Sequence, residues 1–200
     1  MRIEVPHRWF QLLLLVVLSV LFAGCIHLAP LPYAGQREEA RGLGKTLHAL
    51  TPEAQAEVLK EHKVAQELRI MLDELAKLSK PEFTKRFISY AEQFRAIQKK
   101  RRELVQALGS RQWSSPMVRA VQQAAIEHLQ QDVERTQKWL ELAEGVRVRV
   151  ELGREEGFPE LTMLSHQLDI FLAAKSDIDP FANRMHALEE AFSLSETDLF

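Results

Sequence analysis

Five prolines, Pro52, Pro81, Pro116, Pro159 and Pro180, each stand at the head of a run in which apolar residues recur at steps of three and four. Proline suits the first turn of a helix, where its missing N–H would have had no intrahelical partner, and it disrupts a helix interior or a central strand. A chain punctuated this way is expected to fold into helices that begin at those points. Thr51, Ser115 and Asp179 stand one residue ahead of three of the prolines and offer side-chain oxygens as N-caps. Ser79-Lys80-Pro81-Glu82 has the spacing of a capping box.

The apolar stripes give each run its inward face. Run 52–79 carries Val64, Leu68, Met71, Leu75 and Leu78. Run 81–108 carries Phe83, Phe87, Tyr90, Phe94, Ile97, Leu104 and Leu108, with Arg101 as the one charged member and Gly109 as its expected C-terminal cap. The run from Pro116 to about Glu144 carries Val118, Val121, Ala125, Leu129, Val133, Leu140 and Ala143. Each is about 42 Å long as a helix. Two shorter helices are expected from Pro159 to about Ala174 and over 180–191, with a polar, frayed tail beyond Ser193. The alternation Val146-Arg147-Val148-Arg149-Val150 reads locally as a strand, but nothing strand-like elsewhere would pair with it. Helix continuing past Gly145, or a loop, is the favoured reading. Matched lengths and short connections point to an all-α fold: an antiparallel bundle of three long helices with two shorter C-terminal helices over residues 51–200. The aromatic stripe lies on the heptad seam and is core rather than a cofactor site.

The N-terminus is of another kind. Arg2 and Arg8 precede a short apolar stretch, 12–23, broken only by Ser19, and then Leu21-Phe22-Ala23-Gly24-Cys25 brings small residues up to the single cysteine of the chain. The apolar stretch has signal-peptide rather than membrane-spanning length. Residues 1–25 resemble the signal peptide and lipobox of bacterial lipoproteins, with Phe22 where that family more usually has Leu. The resemblance implies cleavage before Cys25, a diacylglycerol thioether on its sulfur, an acylated new N-terminus and a palmitate-type membrane anchor. It also implies an extracytoplasmic body in the cell envelope. Ile26, rather than Asp, follows the cysteine, which under the Gram-negative sorting rule of that family favours the outer membrane. The alternative is an uncleaved anchor, with apolar character running on to Leu31. Residues 25–50 are expected to form the lipidated tether: Pro30 and Pro32 favour extended chain, and Gly35, Gly42 and Gly44 leave any helix over 36–50 short or frayed.

Chemistry-bearing motifs are scarce. The seven histidines are scattered, no metal-ligand spacing recurs, and Gly-rich phosphate loops, nucleophile elbows and cofactor motifs are missing from the sequence. His186 and Glu189, one helical turn apart, form the only pairing that an enzyme reading has to offer, and a solvated face explains them more simply. The chain is expected to have no catalytic, cofactor or metal site and to bind no nucleic acid. Charge, however, is unevenly spread: from Lys80 to Arg119 ten Lys/Arg oppose three Asp/Glu, and from Gly153 onward ten acids oppose three bases. Arg95, Lys99 and Arg102 share one helical face and are the candidate contact for a partner, an anionic lipid or a glycan. Trp113, in the connection before Pro116, is expected to close the bundle end. The functional expectation is a membrane-anchored, non-enzymatic helical adaptor with a protein partner in the envelope; binding of anionic lipid or glycan by the basic helix is the alternative, and an enzyme the remote one.

Overall fold

A computed structural model describes residues 34–153, 158–174 and 179–199, and every regular element in them is helical. In chain order these are α1 (Ala34–Asp73), a short 3-10 turn (Leu75–Lys77), α2 (Lys80–Gly109), α3 (Pro116–Glu151), α4 (Pro159–Ala173), α5 (Ala182–Phe192) and the single turn α6 (Glu196–Leu199). The leader, Cys25, the tether up to Tyr33, and Gly157 lie outside the described residues. α2 packs along both α1 and α3. α1 and α3 meet each other much less, because α4 and then α5 pack against both of them.

Four of the five prolines behave as their chemistry requires. Pro81, Pro116 and Pro159 occupy first turns, and Pro180 precedes α5 by two residues. Ser115 caps α3 by accepting from the Val118 amide, and the Asp179 carboxylate accepts from the Phe181 amide at 2.9 Å. The capping box does not form: Ser79 makes no side-chain cap, and Glu82 pairs with Arg86 one turn on. Gly109 is the last residue of α2, but the cap after it, Ser110, is right-handed, so no left-handed glycine closes the helix.

Pro52 is the exception. α1 runs through it without interruption from Ala34, so residues 34–50 are core-bearing helix instead of tether. Thr51, expected as an N-cap, turns its hydroxyl back to the Leu47 carbonyl at 2.9 Å. Ala40, Leu43 and Leu47 are all buried. The glycines that argued against a helix here are the points where other elements come closest. A Cβ on Gly42 would stand 2.9 Å from the Trp113 ring, and one on Gly44 would collide with the Leu199 side chain. Packing thus repays the helix propensity that glycine forfeits.

α3 likewise continues past Gly145 to Glu151, which resolves the alternation at 146–152 as helix: Val146 and Val150 are buried and Val148 is exposed. A Cβ on Gly145 would meet Glu160 of α4 at 2.9 Å, and the chain leaves the helix through Leu152 and Gly153, the latter with φ +84°. The tail is packed, contrary to its polar composition. Ser193 turns left-handed, Leu194 and Leu199 are buried, and Asp198 pairs with Arg41 at 2.7 Å.

The core comes in two parts. One joins the C-terminal half of α1, the first half of α2, the second half of α3, and α4; Phe94 and Phe171 both stand edge-on to Trp139, with centroids at 5.7 and 4.9 Å. The other joins the first half of α1, the end of α2, the start of α3, α5 and the tail, with Trp113 packed against it. Truncating Leu199 to Ala is expected to cost about 2–5 kcal/mol in denaturant unfolding, the range for a buried leucine. A frayed tail would show no change.

Candidate functional site

Between the two apolar clusters lies a layer of charge. Arg101, the lone cation on the α2 stripe, is 1% exposed and so is its partner Glu61 on α1. The guanidinium donates in bidentate fashion to Glu61, at 2.9 and 2.7 Å. Arg135 of α3 donates to the same carboxylate at 2.8 Å, and Thr136 Oγ1 lies 2.8 Å from it. Asp132 pairs with Arg135 at 2.7 Å, and buried Glu57 pairs with Lys60 at 2.7 Å. Burial pushes the Glu61 carboxyl up, but hydrogen bonding and charge from Arg101, then the charge of Arg135, outweigh it and hold the group below the ordinary carboxylate value. With its oxygens taken up by three donors, Glu61 is a fixed anion that ties three helices together.

Arg135 links this layer to the surface. Its guanidinium lies 4.9 Å from the Phe171 ring centroid and 5.6 Å from that of Trp139, within cation–π range. These side chains line part of a groove of about 520 Å³ between α3 and α4, with Ile170 exposed at its edge. At one end of the molecule Trp113 lies over Gly42 with the Arg111 guanidinium 5.5 Å from its ring, so it covers the core there as a lid.

The basic residues singled out from the sequence are together on one face. Arg95, Lys99 and Arg102 are all exposed, and none makes an ion pair within 4 Å among the described residues. Their neighbourhood is nevertheless mixed. Arg95 and Arg102 line a shallow groove shared with Glu141 and Glu144 of α3, and Arg102 lines a second with Glu134. Lys100 is turned to the other side, where Glu53 of α1 holds it at 2.9 Å. A run that looks uniformly basic in sequence is therefore divided by the fold into a buried cation, one paired with α1, and a row beside α3 carboxylates.

His186 is largely solvated and stands 3.3 Å from Glu189 and 3.2 Å from Glu190. Among the described residues no group of three or more His, Cys, Asp or Glu is arranged to hold a metal ion. The buried network around Glu61 was missed in the sequence except for Arg101. A charged residue on an apolar stripe is visible, whereas Glu57, Glu61 and Asp132 look like ordinary exposed helix acids. No protein-family model, curated protein or solved structure matches the chain.

Breaking a buried pair strands a charge, while replacing both partners with apolar groups does not. Arg101→Met is expected to cost about 3–5 kcal/mol in denaturant unfolding, and adding Glu61→Leu to recover most of that loss. The acid limb follows from the lowered Glu61 pKa. The stability it contributes is whole above the ordinary value of 4.5 and is lost as pH falls from there through the folded-state value. Glu61→Gln should therefore show a shallower fall in unfolding free energy on acidification than the parent chain.

Proposed function

We propose that this chain is a lipid-anchored protein of the bacterial cell envelope whose helical body acts as a non-enzymatic adaptor. The observation that carries the reading is Leu21-Phe22-Ala23-Gly24-Cys25 behind a short apolar core, followed within a few residues by a stiff helical body. α1 alone is about 60 Å long. Buried Glu61 and Arg101 are taken up in helix-to-helix contacts, and Arg135 of the same layer lines a surface groove. The attachment is assigned to Cys25 and its acyl chains on the lipobox resemblance of residues 1–25; among the described residues no helix is long and apolar enough to cross a membrane. Ile26 after the cysteine favours the outer membrane in a Gram-negative host.

The finer architecture belongs to the same reading: an antiparallel bundle of three long helices carrying two shorter C-terminal ones. Glu39, near the start of α1, accepts from the Ser114 and Ser115 amides at the start of α3, which supports parallel α1 and α3 with α2 reversed between them. Binding of anionic lipid or glycan has one support, the exposure of Arg95, Lys99 and Arg102, and the α3 carboxylates beside them weigh against it.

Metabolic labelling with a fatty-acid probe is expected to mark the parent chain and spare Cys25→Ala. Equal labelling of both ends the lipoprotein reading. An adaptor is expected to co-purify with a stoichiometric envelope protein after mild detergent extraction, and recovery of the chain alone under several extraction conditions counts against that role.

A further inference from the structure

The outer face between α2 and α3 carries two rows of opposite charge side by side. Arg95 and Arg102 stand on α2, and Glu134 and Glu141 on α3, with Arg95 level with Glu141 and Arg102 level with Glu134. Half-buried Val105, Val133 and Leu140 lie in the grooves between the rows. Among the described residues none of these four charged side chains makes an ion pair within 4 Å; Glu141 accepts only an amide hydrogen bond from Gln137, at 3.0 Å. Each row is exposed; Glu144, which lines the same groove as Arg95 and feels its charge, is held by Arg147.

Such a face is complementary to itself in one orientation. A two-fold axis lying in the face and parallel to the helices carries α2 of one copy onto α3 of the other without changing height, so Arg102 meets Glu134 of the second copy and Arg95 meets its Glu141. A two-fold axis across the helices would instead set α2 on α2, cation against cation. A polyanion laid on the face would meet the carboxylate row as well as the cations. We propose that the chain pairs with a second copy of itself through this α2–α3 face, about a two-fold axis parallel to the helices. Isologous pairing of this kind is the commonest closed assembly.

In this arrangement the Ala34 ends of both copies point the same way. That is the direction two chains tethered to one membrane require, and co-anchoring would raise their effective concentration. This last consequence rests on the anchor reading above; the pairing itself does not. Exposed ion pairs are weak and screened, so the dimer is expected to loosen as salt rises.

Sedimentation of the full chain in a non-ionic detergent, at about 50 mM and about 500 mM salt, tests the proposal. The parent chain is expected to be dimeric at the lower salt and to dissociate at the higher. Arg95→Glu/Arg102→Glu and Glu134→Arg/Glu141→Arg, each helical by circular dichroism, are expected to dissociate at least about tenfold more readily when alone, a shift of about 1.4 kcal/mol. Mixed together they should form a heterodimer, because each then offers the other a row of opposite sign. The milder Arg95→Gln/Arg102→Gln serves should a charge reversal unfold the chain, and it should weaken the dimer. Pairing is read in the Cys25→Ala chain too, where it should persist, so that loss of the anchor and loss of pairing are told apart. A parent chain monomeric at both salts overturns the proposal, as do reversal variants that dimerise like the parent or fail to pair when mixed. Vesicles containing anionic phospholipid complete the test: retention of a monomeric parent chain, lost on Arg95→Gln/Lys99→Gln/Arg102→Gln, overturns pairing in favour of lipid binding.

Discussion

The Arg101 guanidinium, closed off from water and gripped in bidentate fashion by Glu61, sets the relation of the three long helices to one another. Apolar stripes of Leu, Val and Phe tolerate a helix sliding by a turn, since one greasy contact replaces another. A buried arginine does not, because any shift leaves a charge in the interior without its partner. Arg135, Asp132 and Thr136 bring α3 into the same constraint. The two apolar clusters on either side of this layer supply the burial free energy, and the ionic layer selects the register in which they are buried.

The buried charges of this layer engage one another across three helices, while the grooves lie at the surface. Arg135 belongs to both, with its charge in the buried layer and its plane beside the rings of Trp139 and Phe171. The C-terminal helices have a comparable double use: α4 and α5 pack against both α1 and α3 along regions where those two helices make little contact, and the last buried leucine fills the space above Gly44. Asp198 beside it is held down to about 2 by hydrogen bonds from the Ser195 amide and hydroxyl, with the charge of Arg41 adding to them. A tail of polar composition is thus fixed at the end of the body from which the N-terminal chain departs.

Much of this could be read directly from residue order. The helical stripes, the starts at Pro81, Pro116 and Pro159, and the inward placement of the aromatic rings follow from local stereochemistry and period, which act within a few residues. That 146–152 is not a strand was legible for a negative reason, since a lone strand has nowhere to place its hydrogen bonds, but the choice between helix and loop was not. The basic face was legible as a face, because Arg95, Lys99 and Arg102 fall at helical spacing. Its acidic neighbours were not, because they lie on another helix.

The sequence by itself determined that the chain is helical, where three of its helices begin, which residues point inward, and, through the small residues before Cys25, the expectation of an anchor. Only the tertiary structure decided that α1 begins at Ala34 and passes through Pro52, that Gly42, Gly44 and Gly145 are contact points, and that Leu199 belongs to the core. It alone decided which of the many surface-patterned acids would be buried against Arg101. The physical reason is range. Propensity, capping and periodicity are sums over neighbours in the chain, whereas a missing Cβ or a buried carboxylate acquires its meaning from an atom that another helix or loop brings up.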